Sequence, residues 1–224
     1  MERIDDLQIN NLKIIQNPDW FCFGVDSILL ANYVKSAPND KIIDLGTGNG
    51  IISILLAGKM KCEDVTGVEI QPEVADLARR SVRLNNLEDN IKIIDGDLRD
   101  ESILPSASYD IVVSNTPYKK AKSGLLTEKD EHLLISRHEV MCTLEDIINQ
   151  ARRLLRSRGR LYLVHRPERL ADIITIMRKH KLEPIPDLYC HPFFEVFAEI
   201  VFVSVYFSLY IFVIESEPYI IVVV

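Results

Sequence analysis

The chain of 224 residues is 47% hydrophobic, enough to bury one substantial core within a single domain. A formal charge of −7 excludes a polycation that holds nucleic acid through bulk electrostatics, so any such contact must be local. Four scattered cysteines, Cys22, Cys62, Cys142 and Cys190, with no C-x-x-C pair, argue against a bound metal or a disulfide framework and point to a reduced, cytoplasmic setting.

Residues 1–40 read as an N-terminal extension packed on the domain, and the stretch from Met1 to Asp6 lacks the basic and apolar regions of a secretion signal. From residue 41, apolar β-type runs alternate with amphipathic stretches, the pattern of an α/β fold with a doubly wound, mostly parallel sheet and helices on both faces. Lys41–Leu45 is the first buried strand, followed by a glycine turn and a helix starting near Gly50. Val65–Glu69 is the second strand, and Pro72 opens the next helix, Glu73–Leu84, where its missing N–H costs nothing. Ile91–Asp95 and Tyr109–Ser114 are the third and fourth strands. Thr143-x-x-Asp146 has the spacing of a capping box opening a helix to about Arg156, with Gly159 as its stop. Leu161–His165 is the fifth strand, and Pro167 opens a helix reaching about His180. The cofactor-binding and catalytic core thus spans 41–181, and 182–224 supplies two or three closing strands, the first two an antiparallel hairpin. Ile200–Ile214 is apolar for only fifteen residues, short of the about 20 that a spanning helix needs, and its Val and Phe content reads as strand.

Asp44-Leu45-Gly46-Thr47-Gly48-Asn49-Gly50 follows the first strand directly and runs into a helix. Its glycines permit a sharp turn and close approach to a ligand, and the helix N-terminus supplies oriented N–H groups, so this is a nucleotide-cofactor loop. The spacing G-x-G-x-G departs from the dinucleotide fingerprint, whose third glycine sits one residue later. Glu69, closing the second strand, stands where a carboxylate accepts hydrogen bonds from both ribose hydroxyls. Asp97, after the third strand, is placed to accept from an adenine amino group, with Asp95 as the rival for that role.

Ser114-Asn115-Thr116-Pro117-Tyr118, after the fourth strand, resembles the Asn-Pro-Pro-Tyr motif of class I amino-methyltransferases that act on adenine N6 or glutamine amides. An exocyclic amino nitrogen is a poor nucleophile because its lone pair is delocalised. Hydrogen bonds from its N–H groups to the Asn115 side-chain oxygen and the carbonyl of residue 116 favour pyramidalisation and stabilise the developing positive charge. The Tyr118 ring can stack on a flipped-out base, a contact worth roughly 1–3 kcal/mol. Thr116 departs from the family pattern, which has its first proline there; the backbone acceptor survives, but the loop loses stiffness worth about 0.4–1 kcal/mol.

More of the chain, from about Asp5 to His180, resembles the bacterial methyltransferases that form N6-methyladenosine at position 37 of valine tRNA. The segments are Leu12–Gln16, Phe21–Leu30, the glycine loop, the Asn115 motif, Ser136–Glu139 and His165–Leu170. The resemblance implies S-adenosylmethionine as cofactor, tRNA as substrate and a monomer with no obligate protein partner and no membrane attachment. It implies that Phe23, Gly24 and Asp26 lie beside the cofactor and that Arg137 and His138 lie near the substrate entrance. Lys119, Lys120 and Lys122 follow the catalytic turn, where they could meet phosphates, although a solvated loop reads the same. Residues 119–160 carry ten basic and six acidic residues, leaving −11 on the remainder, so one basic face is expected. Within that stretch Arg152, Arg153, Arg156, Arg158 and Arg160 exceed what complementing one helix end needs, which leaves RNA binding open for them. The alternatives are a protein glutamine or DNA adenine methyltransferase. Glutamine enzymes usually carry an N-terminal helical domain, for which forty residues leave no room. From another class, the chain could be a cofactor- and RNA-binding module without turnover.

Overall fold

A computed structural model describes residues 1–20, 22–115, 142–183 and 220–223. The chain begins with an antiparallel pair, β1 (Arg3–Asp6) and β2 (Lys13–Gln16), and a helix, α1 (Val25–Tyr33). Then come β3 (Lys41–Leu45), α2 (Ile51–Gly58), β4 (Asp64–Glu69), α3 (Pro72–Leu84), β5 (Ile91–Asp95) and β6 (Tyr109–Asn115). After residue 142 follow α4 (Leu144–Leu154), β7 (Leu155–His165), a short 3-10 turn at Pro167–Arg169, α5 (Leu170–Lys179) and β8 (Ile220–Val223).

The main sheet runs β5-β4-β3-β6-β7-β8, parallel through its first five strands, with β8 antiparallel on β7. Side chains alternate faces along each strand, so a strand covered on both sides must be apolar throughout. Ile42, Ile111, Val113, Tyr162 and Val164 meet α1 and α2 on one face. Ile43, Val112, Leu161 and Leu163 meet α4 and α5 on the other. Burying each such Ile, Leu or Val contributes about 1.5–3 kcal/mol, so the two layers hold the strand ends rigidly. This is the doubly wound architecture expected from the sequence. Of the closing strands only β8 falls within the described residues; the expected hairpin over 187–219 lies outside them.

The N-terminal residues are built into one face. All eight residues of α2 are buried, because α1 and the β1–β2 pair cover the side that the sheet does not. Leu12 packs directly on Gly58, where an added Cβ would come within 2.5 Å of its side chain. Asn85 at the end of α3 clasps β2 from both sides, accepting from Lys13 N–H (2.8 Å) and donating to Lys13 C=O (2.7 Å). Among the described residues no helix is long and apolar enough to cross a membrane.

The capping box at α4 forms as its spacing predicts: Thr143 Oγ1 accepts from the Asp146 N–H (3.1 Å), and Asp146 Oδ2 accepts from the Thr143 N–H (2.9 Å). Gly159 is not the stop of that helix. The helix ends at Leu154 and the chain turns at once into β7, whose register against β6 slips between the pairs Tyr109↔Leu155 and Ile111↔Arg160. Arg158 takes a positive φ in this bulge, and a Cβ on Gly159 would approach Leu155 at 2.8 Å and the Asp110 carbonyl at 3.1 Å. The glycine therefore serves a close backbone approach within a strand.

Candidate active site

Strand order reverses between β3 and β6, and a crevice opens beyond the carboxyl ends of these neighbours, where α/β sheets bind ligands. Its lining includes Phe23, Ser27, Gly46, Thr47, Gly48, Asn49, Glu69, Gln71, Asp97, Leu98, Ser114 and Asn115. The glycine loop is tied down by the Gly46 and Thr47 N–H groups, which both donate to Val68 C=O (3.0 and 2.9 Å). Gly46 and Gly48 hold φ of +75° and +57°, and a Cβ on either would meet nothing within 4 Å. Their need for glycine is thus conformational, and the space beside them is open to a ligand.

Asp44 is the strut behind this loop. Fully buried, its Oδ2 accepts from Thr47 Oγ1 (2.7 Å) and Ser53 Oγ (3.1 Å), joining the loop to the first turn of α2. Burial pushes its carboxyl up to about 6, against the pull of those two hydroxyls. Its Oδ1 has no hydrogen-bond partner among the described residues.

Glu69 braces the loop from β4. Its Oε2 accepts from the Gly48 N–H and its Oε1 from the Gln71 N–H, both at 3.0 Å. Burial raises its pKa while these backbone donors lower it, and the net direction is upward. The Gln71 side chain and the Ile70 N–H also act on this carboxylate. Asp97 lines the crevice, whereas its rival Asp95 is exposed and outside the lining. Arg99 grips Asp97 through its side chain, which holds the carboxylate below its ordinary range.

At the end of β6, Ser114 Oγ donates to Leu45 C=O (2.8 Å), pinning this strand to the start of the glycine loop. Asn115 Nδ2 donates to Asp26 Oδ2 (3.0 Å) and Ser27 Oγ (2.9 Å) at the beginning of α1. Phe23 lines the crevice, and its N–H donates to Gln16 Oε1 (3.2 Å), which also accepts from Asn49 Nδ2 (3.4 Å). Gly24, Asp26, Asp44 and Gly50 stand behind the lining. Thr116, Pro117, Tyr118, Lys119, Lys120, Lys122, Arg137 and His138 lie outside the described residues.

Sequence reasoning assigned no role to Gln16, Ser27, Ser53 and Ser114, all buried, although Gln16, Ser27 and Ser114 stand in the segments that carry the resemblance. No spacing marks any of them. The arginines behave differently. Arg153 donates to Leu104 C=O (2.7 Å), Arg156 pairs with Asp110 (3.0 Å) and Arg160 with Asp40 (3.1 Å). Asp40, Lys41 and Asp110 mark the amino ends of β3 and β6, opposite the crevice, and the Lys41 N–H itself donates to Asp110 (2.9 Å).

The described lining contains two carboxylates, Glu69 and Asp97, and no lysine, arginine or histidine. Asp97 carries its own counter-ion in Arg99, whereas no cationic side chain meets Glu69 in the described lining. Fold and crevice together define an α/β domain with a nucleotide-cofactor loop at the carboxyl edge of its sheet.

The chain belongs to the methyltransferase small domain family, whose model matches residues 11–180. It is 34% identical over 166 residues to a tRNA1(Val) (adenine(37)-N6)-methyltransferase of Porphyromonas gingivalis, covering 71% of this chain and 64% of that protein. It is 32% identical over 164 residues to a release factor glutamine methyltransferase of Salmonella typhimurium, covering 71% of this chain and 57% of that one. The chain therefore spans less than two thirds of the length of these relatives. Among solved structures, a TehB-like SAM-dependent methyltransferase from Corynebacterium glutamicum superimposes with a TM-score of 0.52 at 18% identity, over 88% of this chain and 85% of that one, a likeness of fold.

Proposed function

We propose that this protein is an S-adenosylmethionine-dependent methyltransferase acting on the exocyclic N6 of an adenosine in tRNA, adenosine 37 of valine tRNA. The observation that carries the reading is the crevice itself, with carboxylates and no cationic side chain in its described lining and with Asn115 at its edge. S-adenosylmethionine fits the residues present: open space beside Gly46 and Gly48, acceptors at Glu69 and Asp97, and a buried acidic strut at Asp44. When bound, it supplies an electrophilic methyl on a sulfonium.

Glu69 accepts the ribose hydroxyls and Asp97 the adenine amino group, while the loop amides approach the rest of the cofactor. Asn115 Oδ1 accepts from an N–H of the target nitrogen, drawing its lone pair out of conjugation and favouring the charge that develops as the N–C bond forms and the C–S bond breaks. The surplus proton then leaves the methylated nitrogen, now acidic, for solvent. No strong general base is needed, because the nitrogen loses its proton only after it has become cationic. Thr116 supplies a backbone acceptor, Pro117 stiffens the turn and Tyr118 stacks on the extruded base. Lys119, Lys120, Lys122, Arg137 and His138 contact the surrounding RNA. The protein works as a cytoplasmic monomer on this reading.

Glutamine amides and adenine amines are both planar nitrogens, and relatives carry both names. Labelled methyl transfer to tRNA, total protein and DNA in parallel, with nucleoside analysis, separates them. N6-methyladenosine in tRNA alone is the expected result. Label in protein would reassign the site to a glutamine amide, and cofactor binding without any label would make the chain a binding module.

A further inference from the structure

Asn115 can act on a substrate nitrogen only if its amide presents oxygen, not nitrogen, to the crevice. The structure contains the device that settles this. Nδ2 has two hydrogens, and it donates to Asp26 Oδ2 at 3.0 Å and to Ser27 Oγ at 2.9 Å. A carboxylate only accepts, so the amide cannot turn around without setting oxygen against oxygen. Asp26 and Ser27 are each 2% exposed, and Asp26 lies in the first turn of α1, where the helix dipole favours an anion. Gly24 completes the arrangement: its φ of −107° is open to any residue, but a Cβ there would lie 2.6 Å from Asp26 Oδ1. The glycine is needed for the space that the carboxylate occupies.

We infer that Gly24, Asp26 and Ser27 form a positioning element for Asn115, with Asp26 orienting and polarising the amide from behind; this rests on the proposed amino-methyltransferase reading. An anion on the N–H side of a carboxamide shifts electron density toward its oxygen and strengthens that oxygen as an acceptor. The same buried negative charge stands behind the point where positive charge develops on the target nitrogen, and it is withheld from water, which would screen it. Asp26 and Gly24 thereby serve the substrate nitrogen through Asn115.

The test joins kinetics, cofactor titration and NMR on the full chain. Asp26→Ala and Asp26→Asn are expected to lower kcat about 30- to 100-fold while cofactor Kd and substrate KM stay within about threefold. On an Asn115→Ala background, Asp26→Ala costs less than about twofold more, because it acts through the amide already removed. Ser27→Ala loses about fivefold and Ser27→Thr, which keeps the hydroxyl, recovers it; this pair carries the test if the Asp26 variants fold poorly. Full additivity of the two alanine changes, or weakened cofactor binding at unchanged kcat, overturns the inference. The side-chain NH2 signals of Asn115, identified by their loss in Asn115→Ala, should move strongly in Asp26→Asn. Unmoved signals overturn it as well, and this arm needs no turnover. If the wild type labels protein instead of RNA, the substrate reading fails while the same kinetic cycle on that amide still decides the role of Asp26.

Discussion

The amino ends of the parallel sheet pair their charges, whereas the carboxyl ends, beside one Asp97–Arg99 pair, also bury two carboxylates. At the amino ends, Asp40 and Asp110 meet Arg160 and Arg156 across partly exposed surface, and each charge has an opposite charge beside it. At the carboxyl ends, Asp44 and Glu69 are buried against hydroxyls and backbone N–H groups, and burial drives both carboxyls upward. Paired charges at a surface are energetically modest, about 0–1 kcal/mol each. Carboxylates kept from water without a cationic side chain are costly, and a fold retains them where a ligand supplies what the protein withholds. The two buried carboxylates support the proposed site independently of any motif.

The sharpest way to break this contrast is at the edge of the crevice. Asn115→Ala should lower methyl transfer by about 10²–10³-fold, the size of effect seen when one preorganised group facing developing charge is removed. Cofactor affinity, measured by calorimetry, should remain within about threefold. A comparable loss of cofactor binding would instead place Asn115 among the cofactor contacts. Next in size is Glu69→Gln, which turns one loop-bracing oxygen into an N–H donor facing Gly48 or Gln71. Losing a charged acceptor costs about 1.5–3 kcal/mol, so cofactor Kd should rise roughly 10- to 100-fold. Equilibrium titration would show it, and unchanged Kd would remove Glu69 from the site.

A pH titration sharpens the comparison further. Asp44 titrates near 6 in the fold, above its ordinary 3.8, so its contribution to the stability of the unliganded fold is full below 3.8 and is lost as pH rises through about 6. Cofactor binding runs the other way, because a cationic ligand favours the ionised carboxylate. Affinity should fall roughly tenfold from pH 7 to pH 5, with proton release on binding near pH 6. Calorimetry in buffers of different ionisation enthalpy reads both quantities, and pH-independent affinity would exclude ionisation of Asp44 on binding.

How much of this is legible in the sequence follows from periodicity. The inner parallel strands are covered on both faces, so they stand out as short apolar runs, and the bounds of all five agree with the structure to within a residue except at β7. There the true start lies six residues earlier than the apolar run suggests, since Leu155 to Arg160 is polar and bulged and its turn is made by Arg158 at positive φ. The β1–β2 pair leaves no such mark either, although Asn10 and Asn11 take the left-handed conformation that asparagine tolerates. Its strands are four residues long, too short for alternation to register. Gly46, Glu69, Asp97 and Asn115 are readable because each ends a strand or follows one within two residues, at a fixed edge of the sheet. Asp26, Ser27 and Gln16 are not assignable from the residues, since their partners are distant in sequence and only the packing of the N-terminal elements brings them together.

The smallest expected effect tests the other end of the sheet. Arg156 sits 43% exposed, pairs with Asp110 at 3.0 Å, and belongs to the stretch whose positive charge suggests an RNA surface. The strand direction places it where β6 begins, while the crevice lies where β6 ends, so an RNA bound at Asn115 has the length of β6 between them. Arg156→Glu sets a second negative charge against Asp110, which also accepts from the Lys41 N–H, and should cost up to about 1 kcal/mol of stability in denaturant unfolding. Affinity for tRNA should change by less than about twofold at physiological salt, and its salt dependence should stay as steep as in the wild type; removing a cation that neutralises a phosphate would flatten that dependence by about one charge. A measurable fall in both tRNA affinity and salt slope would put nucleic acid at the amino ends of the strands, and the division between a charge-paired end and a ligand-binding end would no longer hold.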